Sequence, residues 1–433
     1  MIVKKFILVN FYMILVKAKY LITDPETCIE HGVVAVKDTK IHHVSTFDKV
    51  KNVAEIERII DLGNAVILPG LINVHTHLDL TNLHHRIKPT NNFTHWVFQL
   101  IGARMRWKDE DYNSSLEKGI RFCIESGTTT AADVTNTGHS FSVLKKSPLR
   151  KVVYKEVIDL NPDHVRNVVK KIQSELSSII TDDLFNIGLS PHAPYSASKE
   201  LYKAIVQLAH DMHIPVCTHI AETRDEIEFL LKGSGNFPIL LRQLRALPDT
   251  WHPPGLTPIH YLRETGILDV NPILIHGNYI TDEEISVIKS SGASIAFCPR
   301  SHHFFGHTDY PIQKLLHAEI NVGLGTDSLA SNDTLSILDE MKFLSRHYSM
   351  LPKTLLAMAT IHGARALGLE SRTGQIKEGF EADLCAIKLP DFHTGNMYNQ
   401  LFDVSSKNIF TMVAGAICYN ALHDYNTSSR FLV

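Results

Sequence analysis

Eight short apolar segments alternate with helical stretches along the middle of this 433-residue chain and limit the folds it can adopt. Each has the near-continuous apolar character of a strand in a parallel sheet, which is covered on both faces. The segments are GLINVHTHL from Gly70, GTTTAADV from Gly127, KVVYKEVI from Lys151, NIGLSPHAPY from Asn186, PVCTHIAE from Pro215, PILIHGNYI from Pro272, ASIAFCPRS from Ala293 and NVGLGTDS from Asn321. Eight such βα units predict a (β/α)8 barrel.

The stretches between these segments carry helix signals. Three are amphipathic, and the second has Thr281 as its expected N-cap. They read SKELYKAIVQLAHDMH, TDEEISVIKSSG and DTLSILDEMKFLSRH.

The two ends of the chain have a different pattern. From Ile14 to about Ile67, short apolar stretches such as HGVVAVKD, KIHHVS and RIIDL are separated by polar turns, and TGQIKEGFEADLCAI and NIFTMVAGAICYN repeat this character near the C-terminus. A barrel of ~250 residues with a smaller companion accounts for the length. We predict an α/β protein with a TIM barrel at 68–371 and a small composite β-sandwich domain formed by 13–67 and 372–433.

The first 16 residues, MIVKKFILVNFYMILV, are similar to a signal peptide, with two lysines ahead of an apolar run. No A-x-A cleavage site follows, and Lys17, Lys19 and Asp24 interrupt the run before the ~20 apolar residues that would span a bilayer. ILVKAKYLIT after Met13 alternates as a strand does. We therefore expect a strand here, with residues 1–12 as an added or misassigned start.

Composition narrows the class of partner. Hydrophobic residues make up 44% and charged residues 21%, and the formal net charge is −3. These values are typical of a globular protein and give no positive field for nucleic acid or a membrane surface, so we expect a small-molecule substrate. The six cysteines are scattered without a C-x-x-C pair, which favours reduced thiols in a cytoplasm.

Polar residues at the ends of the predicted strands are candidate metal ligands. His75 and His77 stand at i and i+2, so their side chains leave the same face of a strand. Alone, such a pair could be two solvated histidines. His219 and Asp327 end the fifth and eighth strands within apolar surroundings, where an unpaired carboxylate is costly. Three imidazoles and one carboxylate suit Zn²⁺, with Fe²⁺ as the alternative, and leave a position for water.

The motifs around these residues resemble the amidohydrolase superfamily. They are H-T-H after L-P-G-L-I-N, THIAET, IHGNYIT and GLGTDS. The resemblance covers essentially the whole chain and points to the branch that holds cytosine, guanine and S-adenosylhomocysteine or methylthioadenosine deaminases and triazine hydrolases. It implies the barrel, the composite sheet domain, the four ligands and a possible homo-oligomer.

The resemblance also assigns roles to Glu222 and His276. Glu222 follows His219 by three residues and could shuttle a proton without binding the ion, as a glutamate does in zinc deaminases of unrelated fold. The other interpretation is a glutamate stabilised by a helix N-terminus. His276 could stabilise the charge that grows on attack, or be a fifth ligand. Asp327 would accept the proton of the attacking water.

One ion is expected rather than two. In binuclear members of the superfamily, a bridging carboxylated lysine lies on the fourth strand. Here that strand ends in His192, and Lys155 belongs to the third. By the resemblance, His192 contacts the substrate. The alternative is a histidine packed in a loop.

Four further residues are candidate substrate contacts. Trp96 matches a Trp of the nucleoside deaminases that follows a ribose-binding Glu, but His95 stands in the place of that Glu. Arg300 and His302 lie in CPRSHHFFGH, where C-P-x-S-N is common in the branch, and Ser328 follows Asp327. Arg300 could favour a carboxylate, and Phe304 or Phe305 could stack on a ring or be core.

The basic, aromatic character of this loop favours a 6-aminopurine with a carboxylate-bearing tail, such as aminodeoxyfutalosine, or another adenosine derivative. Hydrolysis of guanine, cytosine or triazine rings, or release of chloride, is the alternative within the superfamily. A more remote alternative is a non-catalytic metal-binding protein. In such a protein we would expect one of the ligands or catalytic residues to be missing, and all of them are present in this sequence.

Overall fold

The computed structural model describes residues 13–50, 56–391 and 396–422. The predictions for residues 1–12 and for the last residues of the chain lie outside the described residues. In the part that is described, no helix combines the length and apolarity that crossing a bilayer requires.

The N-terminal part of the described chain consists almost entirely of strands. They are β1 (Met13–Lys17), β2 (Tyr20–Asp24), β3 (Thr27–Glu30), β4 (Gly32–Lys37), β5 (Lys40–Thr46), β6 (Ile56–Asp61) and β7 (Ala65–Pro69). The segment predicted as one strand from Met13 is two, because the chain turns at Ala18 and Lys19 to pass from one sheet to another. β1 lies in a sheet of order β5-β4-β1-β6, whereas β2 pairs with β3 and β7.

The central part contains strands at all eight predicted positions. They are β8 (Leu71–Thr76), β9 (Thr128–Thr135), β10 (Arg150–Val157), β11 (Phe185–Pro191), β12 (Cys217–Ile220), β13 (Ile273–His276), β14 (Ser294–Phe297) and β15 (Val322–Leu324). They form two parallel four-stranded sheets, β8 to β11 and β12 to β15. Bridges Leu189–Val216 and Thr76–Asp327 join the two sheets at both edges, which gives a TIM-barrel-like α/β arrangement.

Helices follow most of these strands and cover their outer faces. The barrel helices are α2 (Phe93–Arg104), α3 (Asp109–Glu125), α4 (His139–Lys145), α5 (Val165–Ser177), α6 (Lys199–Met212), α7 (Arg224–Lys232), α8 (Asn236–Gln243), α9 (Pro258–Thr265), α10 (Asp282–Ser291), α11 (Pro299–Phe304), α12 (Ile312–His317), α13 (Ile337–His347), α14 (Pro352–Ala359) and α15 (Ile361–Ala366). Outside the barrel, α1 (Phe47–Val50) follows β5, and α16 (Met397–Leu401) lies among the C-terminal strands. Short 3₁₀ helices span Leu78–Leu83, Pro162–His164 and Ile267–Val270.

Side-chain caps decide where the predicted helices begin. Thr281 caps α10 as expected, in a capping box with Glu284. The helix predicted from Asp333 begins only at Ile337, because Ser336 takes the N-cap position and accepts the Asp339 N–H.

The C-terminal strands β16 (Leu384–Lys388), β17 (Lys407–Val413) and β18 (Ala416–Asn420) return to the N-terminal part of the fold. β16 pairs antiparallel with β7, which makes a six-stranded sheet of order β18-β17-β16-β7-β2-β3. Buried Val34 of β4 and Leu21 of β2 belong to the same apolar core as Phe410 of β17. The two sheets therefore pack on each other beside the barrel strands.

Candidate metal centre and active site

The four predicted ligands converge where the barrel strands end. His75 lies in β8 and His77 directly after it, His219 lies in β12, and Asp327 follows β15. His75 is fully buried, and His219 and Asp327 are nearly so. These are the carboxyl ends of three strands, the edge at which barrel enzymes carry their active sites.

The spacing of the ligand atoms is wider than hydrogen bonding and suits a shared ion. Asp327 Oδ1 lies 3.6 Å from His75 Nε2 and 3.9 Å from His77 Nε2. The ring centroids of His75 and His219 are 5.0 Å apart. Two atoms that each lie about 2.1 Å from a tetrahedral ion are about 3.4 Å apart, so this cluster has the dimensions of a metal site.

Backbone carbonyls fix the tautomers of two of the histidines. The Nδ1 atoms of His77 and His219 lie 3.0 Å and 3.1 Å from the carbonyl oxygens of Val134 and His192. A carbonyl only accepts, so each Nδ1 carries the proton and each Nε2 has a free lone pair, as metal-binding histidines require. Burial lowers the pKa of His219 well below its usual value, which keeps this ring neutral.

His75 gives the clearest test of whether the residues fit an ion. Both of its ring nitrogens are buried without a hydrogen-bond partner among the described residues. Such a group costs free energy unless it binds something. Together with two oriented imidazoles and a carboxylate, this orphaned ring fits a divalent metal ion of the Zn²⁺ type.

Two serines that sequence reasoning missed hold the far oxygen of the Asp327 carboxylate. Ser301 Oγ and Ser331 Oγ each donate to Asp327 Oδ2 at 2.7 Å. Oδ1 is thereby turned toward the histidines. A signal existed, since Ser331 follows Asp327 by four residues and Ser301 lies in CPRS, but only the fold brings the second beside Asp327.

Glu222 and His276 face each other beside the ligands. Glu222 Oε1 lies 3.5 Å from His276 Nε2, and both residues are buried. Thr223, not Glu222, caps α7, and Glu226 accepts the backbone N–H of Glu222. Glu222 is therefore not in the position of a glutamate that caps a helix N-terminus. Burial, reinforced by the charges of Asp327 and Glu226, raises the pKa of Glu222 well above its usual value, as a proton donor needs.

His276 occupies a strained position at the end of β13. Its φ is +71°, which costs a residue other than glycine on the order of 1–3 kcal/mol, and its carbonyl accepts a hydrogen bond from Tyr310 Oη at 2.9 Å. Its ring nitrogen lies within 4.8 Å of those of His75 and His219. Both predicted roles, the fifth ligand and the group that stabilises charge, stay open.

His192 and Glu156 border the site on the other side of His219. The rings of His192 and His219 are 4.8 Å apart, and His192 Nδ1 bonds to Ser196 Oγ. Glu156 lies near the end of β10 with Oε1 3.8 Å from His192 Nε2. Sequence reasoning considered only Lys155 here, whose Nζ contacts Asn136 O on the outside. Alternation along the strand could have assigned Glu156 to the inner face.

Trp96 and Ser328 meet at the loop that follows Asp327. Trp96 Nε1 donates to Ala330 O at 3.0 Å, and Ser328 Oγ accepts from Ala330 N at 3.2 Å. The Trp96 ring packs on buried Phe305, so this phenylalanine is core. His95 is exposed on α2.

The two basic side chains predicted to meet an anionic tail have other partners. Arg300 donates to Asn332 and forms an ion pair with Asp333 at 3.1 Å. His302 is 2% exposed, and burial lowers its pKa to about 3, so the ring is neutral. The expected positive charge of this loop is therefore neutralised or absent, although the substrate contacts of both residues stay predictions.

The sequence of this chain is similar to those of known proteins. Residues 66–418 match the model of the amidohydrolase family. The chain is 31% identical over 391 residues to a 5-methylthioadenosine/S-adenosylhomocysteine deaminase of Pyrococcus furiosus, covering 87% of this chain and 86% of that protein.

Two solved structures share the fold. An adenosine deaminase of Xanthomonas campestris with bound zinc has a TM-score of 0.81 at 23% identity and covers 94% of this chain and 93% of its own. Aminofutalosine deaminase of Helicobacter pylori, in complex with methylthio-coformycin, has a TM-score of 0.81 at 23% identity and covers 93% and 99%.

Proposed function

The chain belongs to the amidohydrolase family, and on that premise we propose that it is a metal-dependent aminohydrolase that deaminates an adenosine-type nucleoside. The observation that carries the proposal is the convergence of His75, His77, His219 and Asp327 with the facing pair Glu222 and His276. The reaction consumes water and exchanges the 6-amino group of the purine for oxygen, with release of ammonia.

The four ligands would hold a divalent ion, which would lower the pKa of a water beside it and place a positive charge next to the reacting carbon. Asp327 would accept the proton of the attacking water at Oδ1, because Ser301 and Ser331 both donate hydrogen bonds to Oδ2. Glu222, protonated in its buried position, donates to the ring nitrogen beside the reacting carbon. Protonation of this nitrogen makes the neighbouring ring carbon more electrophilic, so that water can attack it despite the aromatic stabilisation of the purine.

His276 and the surrounding structure complete the site. His276 Nε2 lies 3.5 Å from Glu222 Oε1. A hydrogen-bond donor at this position would stabilise the negative charge that develops on the attacking oxygen. Asn278 Nδ2 donates to Glu222 O at 2.9 Å and fixes the backbone of the acid. Burial of these groups excludes bulk water from the proton transfers.

We infer a single ion, with Zn²⁺ preferred over Fe²⁺. His219 has only one free ring nitrogen, because Nδ1 is committed to the His192 carbonyl. The group of Glu156, His192 and His219 therefore competes with the main cluster for the same atom. One equivalent of metal per chain should restore full turnover after chelation, and two equivalents, both required, would contradict this.

For the substrate we propose a nucleoside modified at the 5′ position, with aminodeoxyfutalosine, methylthioadenosine and related adenosine derivatives as candidates. The names of the relatives support this class. Arg300 forms an ion pair with Asp333, so its guanidinium is not free to bind the carboxylate tail of a substrate.

A substrate panel tests the proposal. Purified protein, loaded separately with Zn²⁺ and Fe²⁺, is assayed with adenosine, 5′-methylthioadenosine, S-adenosylhomocysteine, 5′-deoxyadenosine and aminodeoxyfutalosine, and with guanine, cytosine and a chlorotriazine. The ultraviolet change from 6-amino- to 6-oxopurine and the released ammonia are measured. Turnover confined to the last three compounds, chloride release, or no turnover would contradict the proposal.

The finer architecture is part of the same proposal. We infer that the eight strands close into one barrel at 68–371, supported by bridges at both sheet edges. Of the predicted sandwich domain, 13–67 and 372–433, we infer that the described residues form one composite sandwich, supported by the pairing of β7 with β16. A cytoplasmic location is inferred from six cysteines that form no disulfide. A homo-oligomer remains part of what the family resemblance implies.

A further inference from the structure

The turn between β12 and α7 carries Glu222, which faces His276, and it contains a strained residue. Ala221 has a φ of +47° and is completely buried. This is the left-handed region, which residues other than glycine rarely adopt. Such a conformation persists only where surrounding contacts hold it. The contacts that hold this turn therefore also set the direction of the Glu222 side chain.

The carboxylate of Glu226 holds the turn from one side. Its Oε1 accepts a hydrogen bond from the Ala221 N–H and its Oε2 accepts one from the Glu222 N–H, each at 2.9 Å. Glu226 is fully buried, so bulk water does not compete for these bonds. One side chain thus binds two consecutive N–H groups, that of the strained residue and that of the proton donor.

The place of Glu226 in its helix shows that this contact is more than a helix cap. Glu226 is the third residue of α7, whose N-cap is Thr223, and a glutamate there ordinarily accepts the N–H of the cap residue. Glu284 does this in α10, where it accepts the Thr281 N–H at 2.9 Å. Glu226 reaches past Thr223 to the N–H groups of the two preceding residues. The start of a helix does not need these two bonds.

We propose that Glu226 is a positioning residue, which fixes the backbone at Ala221 and Glu222 so that the Glu222 carboxylate stays directed at the reacting edge of the substrate. The proposal rests on the proposed function, since it takes Glu222 as the proton donor. Glu226 binds neither substrate nor ion in this scheme, and it acts on the reaction through Glu222.

Glu226→Gln removes one of the two bonds and keeps the shape of the side chain. The amide nitrogen of Gln donates and cannot accept, so the N–H of either Ala221 or Glu222 faces another donor. We expect kcat to fall about 10–100-fold, because a displacement of about 1 Å in a reacting group can cost about 10²-fold in rate. KM should stay within about threefold and metal content at the wild-type level, since the four ligands are unchanged.

Glu284→Gln is the matched control. Glu284 is also buried, is also the third residue of a threonine-capped helix, and also accepts two backbone N–H groups, those of Ile259 and Thr281. Both variants lose one buried acceptor and should lower Tm by similar amounts. Only Glu226→Gln should lower kcat, because only Glu226 binds the turn that carries the proton donor.

A double-mutant cycle with Glu222 tests how the effect reaches the reaction. If Glu226 acts through Glu222, adding Glu226→Gln to Glu222→Gln should lower kcat by less than about twofold, since no proton donor is left to misplace. Glu226→Asp takes the place of Glu226→Gln if the latter does not fold. Its chain is one methylene shorter and cannot reach both N–H groups, so the same results are expected.

The outcomes separate this proposal from the proposed function. An unchanged kcat in Glu226→Gln, an equal loss in Glu284→Gln, or full multiplication of the two losses in the double variant would overturn the role of Glu226 while deamination stands. If wild type deaminates no nucleoside, the proposed function itself is overturned.

Discussion

Glu222 and Glu226 show how position sets the role of a residue. The Glu226 carboxylate accepts hydrogen bonds from the backbone N–H groups of Ala221 and Glu222, whereas the Glu222 carboxylate faces the ring of His276. Replacing Glu222 by Gln should lower kcat/KM by about 10²–10⁴-fold, because the variant keeps the shape but cannot deliver a proton. Metal content, measured by elemental analysis, should stay at the wild-type level.

A neighbouring glutamate provides the control for that experiment. Glu228 lies on the exposed side of α7, where it accepts a hydrogen bond from Ser234 Oγ at 2.7 Å. Glu228→Gln should retain wild-type kcat/KM. Full activity in Glu222→Gln would remove this residue from the mechanism.

The serines behind Asp327 should matter for the ion more than for the fold. Ser301→Ala and Ser331→Ala each remove one hydrogen bond to Asp327 Oδ2 and free the carboxylate to rotate. Loss of such outer contacts typically costs about 10–100-fold in metal affinity or activity. Competition with a chelator measures the metal Kd. Unchanged affinity in the double variant would show that the serines do not orient this ligand.

At the scale of elements, the sequence predicts positions well where one local rule suffices. Apolar runs located the eight strands, and polar residues at their ends located His75, His219 and Asp327, because strand ends of a parallel barrel share one edge. Glu156 was missed because the neighbouring Lys155 is equally polar, and only the face of β10 separates the two. The pairing of Arg300 with Asp333 was missed because it depends on how α11 approaches the loop that follows β15.

Glu340 connects α13 to the loops around the site and should give stability a dependence on pH. Its carboxyl oxygens accept from Asn332 Nδ2 and Arg300 N, and burial raises its pKa to about 8. The folded protein therefore holds a proton that the unfolded chain releases near its ordinary value. The stabilisation is fully present below that ordinary value and is lost as the pH rises through about 8.

The difference between wild type and Glu340→Gln isolates this effect. Gln does not titrate, so the free energy of unfolding of wild type should fall relative to the variant between about pH 5 and 8 and level off above that. Both proteins are unfolded in urea at each pH with saturating metal. Parallel pH profiles would show that Glu340 is ionised in the folded protein throughout that range.

At the scale of the whole molecule, a buried ion pair ties the barrel strands to the C-terminal strands. Arg150 at the start of β10 donates from Nε and Nη2 to the two carboxylate oxygens of Asp383, at 2.8 Å and 3.3 Å. Both side chains are almost completely buried. Asp383 Oδ1 also accepts the Ala414 N–H beside β17, so one carboxylate joins segments far apart in the chain.

Breaking this pair should destabilise the molecule without altering the chemistry of the site. Arg150→Met leaves the buried Asp383 carboxylate without its cationic partner and should cost about 3–5 kcal/mol of unfolding free energy. Asp383→Asn should cost less, because Glu381 Oε2 remains 3.5 Å from Arg150 Nη2. Combining Arg150→Met with Asp383→Leu should cost less than the sum of the single changes, since no charge is then left uncompensated. Urea unfolding gives the cycle, and kcat/KM at low temperature gives the control, which should stay near wild type. If the costs are additive, the barrel strands and the terminal strands are held together by their apolar contacts rather than by this pair.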